Sequence, residues 1–111
     1  MILSCTELVP APGNRQAILE ILQFVERGLL IAPGCTGCEI YEKLDESHAI
    51  LYVEHWESEE SFKTHLRSTA YLPVLNAMDL AQRAPTINFH EVTATRSMEL
   101  VEALRSRDHK I

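Results

Sequence analysis

Glu54, Trp56, His65 and Tyr71 are the residues whose types and spacing could support chemistry in this sequence. They lie within Ile50–Tyr71, ILYVEHWESEESFKTHLRSTAY, which reads as a buried strand ending in tryptophan that turns directly into an acid-capped helix. Period two puts Glu54 and Trp56 on one face of the strand. Histidine titrates near neutrality, so His65 is a candidate to take a proton from a phenol or enol, or to hydrogen-bond a substrate oxygen. A carboxylate beneath helices needs a partner. His65 is the natural one, with Glu54 orienting the ring and stabilising its imidazolium form. Trp56 offers a flat wall to a planar ligand and a single N–H donor, and Tyr71 offers a hydroxyl or a cover. Phe62 shares the inner helix face with His65, and Thr6 and Asn88 are further candidates for the lining. Each also has a purely structural reading: His65 as a core histidine beside Phe62 and Leu66, Trp56 as packing, Glu54 as half of a surface or dimer-edge ion pair. A cavity beside His65 separates the two.

The elements that must position these residues follow in order. Ile2 to Val9 alternate as a strand, and Pro10-Ala-Pro12-Gly13 ends it. Asn14 is a suitable N-cap for a helix whose apolar stripe is Ile18, Ile21, Leu22, Val25 and Leu29, stopped by Pro33-Gly34. Cys38–Leu44 alternates, Asp45-Glu46-Ser47 turns, and residues 48–56 form the partner strand of a hairpin. Ser58 caps the next helix, with Glu59 and Glu60 favourably placed against its dipole. A second helical piece is expected from about Pro73 to Arg83, then a strand over Thr86–Thr93. Ser97 opens a C-terminal helix with Leu100, Val101 and Leu104 on one side, and residues 105–110 read as a frayed polar tail.

The order β-α-β-β-α-β is the split βαβ arrangement, an α+β ferredoxin-like fold with an extra C-terminal helix. A single domain over residues 1–111 is expected, its core at 1–93 and a helical extension at 94–111. Helices on one face leave the other face bare, where Leu3, Cys5, Val9, Leu51 and Val53 are expected. A two-fold homodimer is the economical cover for such a surface.

Composition narrows the function. The chain has 111 residues, of which 46% are hydrophobic and 23% charged, and a net charge of −6. Its charges are interspersed with no basic stripe, which argues against nucleic acid or an anionic membrane as partner. No apolar run is long enough to span a bilayer, and the N-terminus lacks the features of a signal peptide, so a cytoplasmic protein is expected. Cys5, Cys35 and Cys38 are too few and too oddly numbered for a disulfide framework. Cys35-Thr-Gly-Cys38 precedes a strand rather than a helix and lacks a second ligand pair, so no metal is expected, though Cys38 is a candidate redox-sensitive thiol.

Pro33-Gly34-Cys35, then Tyr52-Val-Glu54-His-Trp56-Glu-Ser-Glu-Glu-Ser-Phe62-Lys-Thr-His65-Leu66, and the closing Ala-Pro85-Thr-Ile-Asn-Phe89 carry a family resemblance over residues 1 to about 93. The chain resembles the antibiotic biosynthesis monooxygenase superfamily, small dimeric α/β-barrel proteins that include quinol monooxygenases. The resemblance implies a dimeric barrel and, in several members, oxygenation without a cofactor of a polycyclic or quinol-type substrate held between sheet and helices. Haem-degrading relatives carry an asparagine, a tryptophan and a haem-ligating histidine where this chain has Thr6, His65 and Leu75, so haem degradation is not implied. Many relatives have a second histidine that would fall near Ala70, and its absence counts against a two-histidine mechanism. The function expected is a cofactor-independent monooxygenase using molecular oxygen and an aromatic small molecule. The alternatives are a non-catalytic small-molecule-binding barrel or an isomerase using the same histidine.

Overall fold

The structure, a computed structural model, describes residues 1–109. Its elements are β1 (Ile2–Leu8), α1 (Arg15–Leu29), β2 (Cys35–Glu42), β3 (Ile50–Trp56), α2 (Glu59–Arg67), a 3-10 turn (Thr69–Tyr71), α3 (Leu72–Asp79), β4 (Thr86–Glu91) and α4 (Met98–His109). The strands form one antiparallel sheet in the order β2-β3-β1-β4. β1 thus separates β3 from β4, and β3 separates β1 from β2, which is the ferredoxin-like α+β topology expected from the sequence.

Side-chain parity decides what each strand contributes. Ile2, Ser4, Thr6 and Leu8 of β1 point beneath the helices, as do Ile50, Tyr52, Glu54 and Trp56 of β3, and all eight are buried. On α1, Ile18, Leu22, Val25 and Leu29 close over this face. Val74 and Ala77 of α3 complete the core cluster. Directly opposed residues share a face, so Leu3, Cys5, Leu51 and Val53 fall together on the other side of the sheet. Val53 is buried there between Cys5 and Glu39, while Leu51 is 37% exposed. Val9, expected on that bare face, is buried: β1 ends at Leu8, and the chain turns to bond the segment that follows α3, with Gln82 N donating to Val9 O at 2.7 Å.

Several element ends differ from the sequence reading for identifiable reasons. Asn14 does not cap α1 with its side chain; its Nδ2 donates to Leu80 O at 3.2 Å and ties the start of α1 to the end of α3. α3 stops at Asp79 rather than Arg83, because Ala11 N claims Leu80 O and Pro10 bridges Ala81. β2 begins at Cys35, three residues earlier than expected, because a bulge between Cys35 and Gly37 lets the pairing with Trp56 continue. The backbone of 105–109 is helical rather than frayed, and Lys110 lies outside the described residues. Leu100, Val101 and Leu104 of α4 are all exposed. Among the described residues no helix is long and apolar enough to cross a membrane.

The connection from α1 to β2 carries the one glycine on which the site depends. Gly34 has φ +85°, and a Cβ there would lie 2.5 Å from Ser61 Cβ on α2. Its carbonyl also accepts from Glu57 N at 2.8 Å. Pro33-Gly34 is therefore pressed against the first turn of α2. Gly34→Ala is expected to destabilise by about 1–3 kcal/mol in urea titration, combining left-handed backbone cost with collision. Gly13→Ala is the control: φ is +84°, but nothing lies within 4 Å, so it carries only the backbone part.

Candidate functional site

Tyr52, Glu54 and Trp56 stand at i, i+2 and i+4 on the inner face of β3, and this spacing builds the site. Glu54 is 1% exposed, a position where an unpaired carboxylate would be very costly. Both neighbours answer it from the same strand. Tyr52 OH donates to Oε2 at 2.6 Å, and Trp56 Nε1 donates to Oε1 at 2.9 Å. The third partner comes from α2: His65 Nε2 lies 3.3 Å from each carboxylate oxygen. Burial pushes the Glu54 carboxyl up, but bonds from His65 and Tyr52 and the nearby imidazole outweigh it and hold it below the usual carboxylate range. The Tyr52 phenol is driven the other way, by burial first and then by the Glu54 charge it bonds. Burial raises Tyr71 as well.

The helix that carries His65 is fixed at both ends. Ser58 Oγ accepts from Ser61 N at 3.1 Å at its start, and Ser68 Oγ donates to His65 O at 2.7 Å at its end. The His65 ring is 6% exposed, stacks on Trp56 with centroids 4.6 Å apart, and meets the Tyr71 ring edge-on at 5.5 Å. An ionised Glu54 requires the proton on Nε2, so the neutral ring carries its lone pair on Nδ1. Nδ1 has no hydrogen-bond partner among the described residues, and it is not among the fully enclosed unpartnered atoms. It is therefore the ring nitrogen that the protein leaves uncommitted.

His65 lines a cleft of about 430 Å³ between α2 and the α1–β2 connection, together with Trp56, Ala32 and Pro33, and Ser58, Glu60, Ser61, Thr64 and Ser68 supply its polar groups. Its size is within the range for small-molecule sites. Of the sequence candidates, Glu54, Trp56, His65 and Tyr71 are brought into contact, and Trp56 and His65 face the cleft. Phe62 is buried, tilted against Trp56 at 6.4 Å and edge-on to Phe89 at 5.0 Å, behind the site rather than in its wall. Thr6 is buried on the same sheet face, opposite Tyr52, and is also outside the cleft lining. Asn88 is a correction: it pairs with Cys5, so it shares the opposite sheet face with Leu3 and Val53 and does not reach this space. The opening itself is displaced from the expectation, because the room between sheet and helices beside His65 is filled by Trp56, Tyr71 and Glu54.

Two features were not picked out from the sequence. Tyr52 enters the sequence reading only within the strand and its family motif, although period two from Glu54 puts its hydroxyl on the carboxylate. The hydroxyls of Ser61, Thr64 and Ser68 recur at helical spacing on the His65 side of α2, a stripe visible in the sequence. On the opposite sheet face His55 Nε2 lies 2.9 Å from Glu39 Oε2, in keeping with its parity. Burial pushes the Cys38 thiol up to about 12, which leaves it protonated and poorly reactive at neutral pH, contrary to a redox-sensing role. Among the described residues no group of three or more His, Cys, Asp or Glu could hold a metal ion.

With this geometry in hand, the chain can be set beside known proteins. The family model described as antibiotic biosynthesis monooxygenase matches residues 1–75, a shorter span than the 1–93 suggested by the motifs. The fold is shared with Rv0793 from Mycobacterium tuberculosis (18% identity, TM-score 0.77, covering 86% of this chain and 98% of that one). It is also shared with a candidate antibiotic biosynthesis monooxygenase from Deinococcus radiodurans (18% identity, TM-score 0.78, 87% and 97% covered). PA3566 from Pseudomonas aeruginosa is similar too (16% identity, TM-score 0.71, 84% and 94% covered). At such identities the likeness establishes the fold alone. No curated protein sequence matches the chain.

The depressed Glu54 carboxyl makes stability depend on pH. Its folded pKa lies below the unfolded value, so its contribution is complete above the unfolded pKa and is lost as pH falls through the folded one. Glu54→Gln is expected to cost about 1–3 kcal/mol at neutral pH, because three donors then face one acceptor oxygen. The gap from wild type should narrow on acidification, read from chemical denaturation midpoints across pH 3–7. A gap that stays constant would show that Glu54 is not ionised in the folded protein.

Proposed function

This chain belongs to the antibiotic biosynthesis monooxygenase family, and from that premise we propose a monooxygenase for quinol-like or polyphenolic small molecules, in which the substrate itself supplies the electrons. The observation that supports this reading is the division of the His65 ring. Nε2 is held 3.3 Å from both Glu54 oxygens, Nδ1 has no hydrogen-bond partner among the described residues, and His65 lines a cleft of about 430 Å³.

A phenol enters the cleft and gives its hydroxyl proton to His65 Nδ1. Glu54, already bonded by Tyr52 and Trp56, stabilises the imidazolium that forms and keeps the ring from turning; it is a positioning residue. The resulting phenolate is electron-rich enough to pass an electron to molecular oxygen, and recombination forms a carbon–oxygen bond at a ring carbon. Loss of water from this hydroperoxide, with the hydrogen of the same carbon, leaves a ring carbonyl. One oxygen atom stays in the quinone product and the other leaves as water. The four electrons come from the substrate, and the proton held by His65 returns to the departing oxygen. The protein need supply only a base, a wall and exclusion of bulk water.

The working form we propose is a homodimer. Leu3, Cys5, Leu51 and Val53 form an apolar strip on the sheet face away from the helices, beside the His55–Glu39 pair, and a second copy across a two-fold axis covers it most simply.

Oxygen uptake with a panel of hydroquinones tests the reading directly. Uptake dependent on a phenolic substrate is expected, and His65→Ala should lower kcat about 10²–10⁴-fold. Full uptake by His65→Ala would remove His65 as the base. Saturable ligand binding without uptake would favour a binding protein instead.

A further inference from the structure

We propose that the cleft beside His65 is the head of a longer trough, whose second lobe takes an unbranched apolar tail ending in an anionic group at Arg27. The inference rests on the quinol-type reading of the head and extends it to the shape of the whole ligand.

The second lobe is a cavity of about 550 Å³ between the last turns of α1 and the 3-10 turn, walled chiefly by Phe24, Val25, Leu29, Ala70 and Pro73. It adjoins the His65 cleft on both sides. Ala32 lines both spaces, and on the facing wall the lining passes from Ser68 in the cleft to the adjacent Thr69 in the lobe. The two spaces are thus neighbours between the same pair of walls, one from α1 and its connection to β2 and the other from α2 and the 3-10 turn, and the proposed path runs from one to the other.

The character of that path changes along its length. Around His65 it offers the hydroxyls of Ser58, Ser61, Thr64 and Ser68, suited to a ring with oxygen substituents, with only an edge of the 1% exposed Trp56 reaching its wall. Beyond Ala32 it is lined mainly by aliphatic and aromatic side chains, suited to methylenes. Its charges are also ordered. Glu60 stands in the wall at the head, and Arg27 stands in the wall of the lobe. Arg27 makes no ion pair among the described residues. A terminal carboxylate would be repelled at the Glu60 end and attracted at the Arg27 end, so the charge pattern sets the ligand's direction as well as its class. The exposed Phe24 at the lobe, 62% exposed, has apolar surface to gain from such a tail.

Trp56 is the chain's only tryptophan, so quenching of its fluorescence reports occupancy of the head without a label. The probes are 2-alkylhydroquinones from methyl to octyl, each with its ω-carboxylate counterpart, titrated into the full chain in oxygen-free buffer. Affinity should rise about two- to fourfold per methylene over the first several carbons. The ω-carboxylate should add about two- to fivefold for long chains only. Arg27→Gln should abolish the ratio between carboxylate and methyl ester of the same chain. Ala70→Phe should flatten the chain-length dependence. Both residues are exposed, so neither change threatens folding. If 2-methylhydroquinone quenches Trp56 and longer chains bind no better, the trough is overturned while the quinol reading stands. If octanoate quenches and no hydroquinone does, the quinol reading fails and takes this inference with it.

Discussion

The structure turns on one buried carboxylate. At the Glu54 position a leucine of similar bulk would ordinarily serve stability at least as well, because desolvating a charge can cancel what its partners return. Glu54 is tolerable only because the strand that buries it also satisfies it: Tyr52 and Trp56, two residues to either side, each place a donor on one of its oxygens. Those two bonds do not depend on α2. They fix the carboxylate before the helix is considered, and they make its orientation a property of β3. His65 then approaches a charge that is already positioned, which suits an anchor for a catalytic ring better than a flexible surface pair would.

What the strand does for Glu54, the corner does for His65. The helix starts within three residues of Trp56, so its direction is set almost as soon as the strand ends. Ser58 caps it, Ser68 closes it, and the missing Cβ of Gly34 lets the α1–β2 connection rest on Ser61. The cleft therefore has one wall from α2 and another from a segment in contact with it. A site lodged in this way gains rigidity from backbone bonds and caps as well as from side-chain packing.

The sequence made the strand parity and the helix faces legible, and with them the contact of Glu54, Trp56, His65 and Tyr71. It was less informative wherever two faces were equally plausible. Asn88 was assigned to the wrong side because β4 alternates without declaring which set is inner, and only its pairing with Cys5 decides. Tyr52 was concealed by the run Ile50-Leu-Tyr-Val53, which has no polar residue to mark a face although Leu51 is exposed. Val9 lost its parity where β1 gives way to the bonds that hold α3. The position of the opening was least legible of all. It depends on the path of residues 30–34, a short connection with no periodicity to read, rather than on any element's pattern.

One uncommitted nitrogen also limits what chemistry the corner could serve. An isomerase must deliver a proton to a second atom of its substrate, and a base anchored through Nε2 and stacked on Trp56 cannot swing far to do so. A hydroxyl relay through Ser61 or Thr64 would be needed, and both stand in the wall where a water or substrate oxygen could bridge them. The proposed oxygenation makes a smaller demand. Its driving force comes from reducing oxygen, its electrons come from the substrate, and the proton removed at the start is accepted by the oxygen that leaves at the end. A fixed base that gives back its proton near where it took it is sufficient. The same rigidity that makes Glu54 affordable therefore favours the chemistry that asks for the least movement.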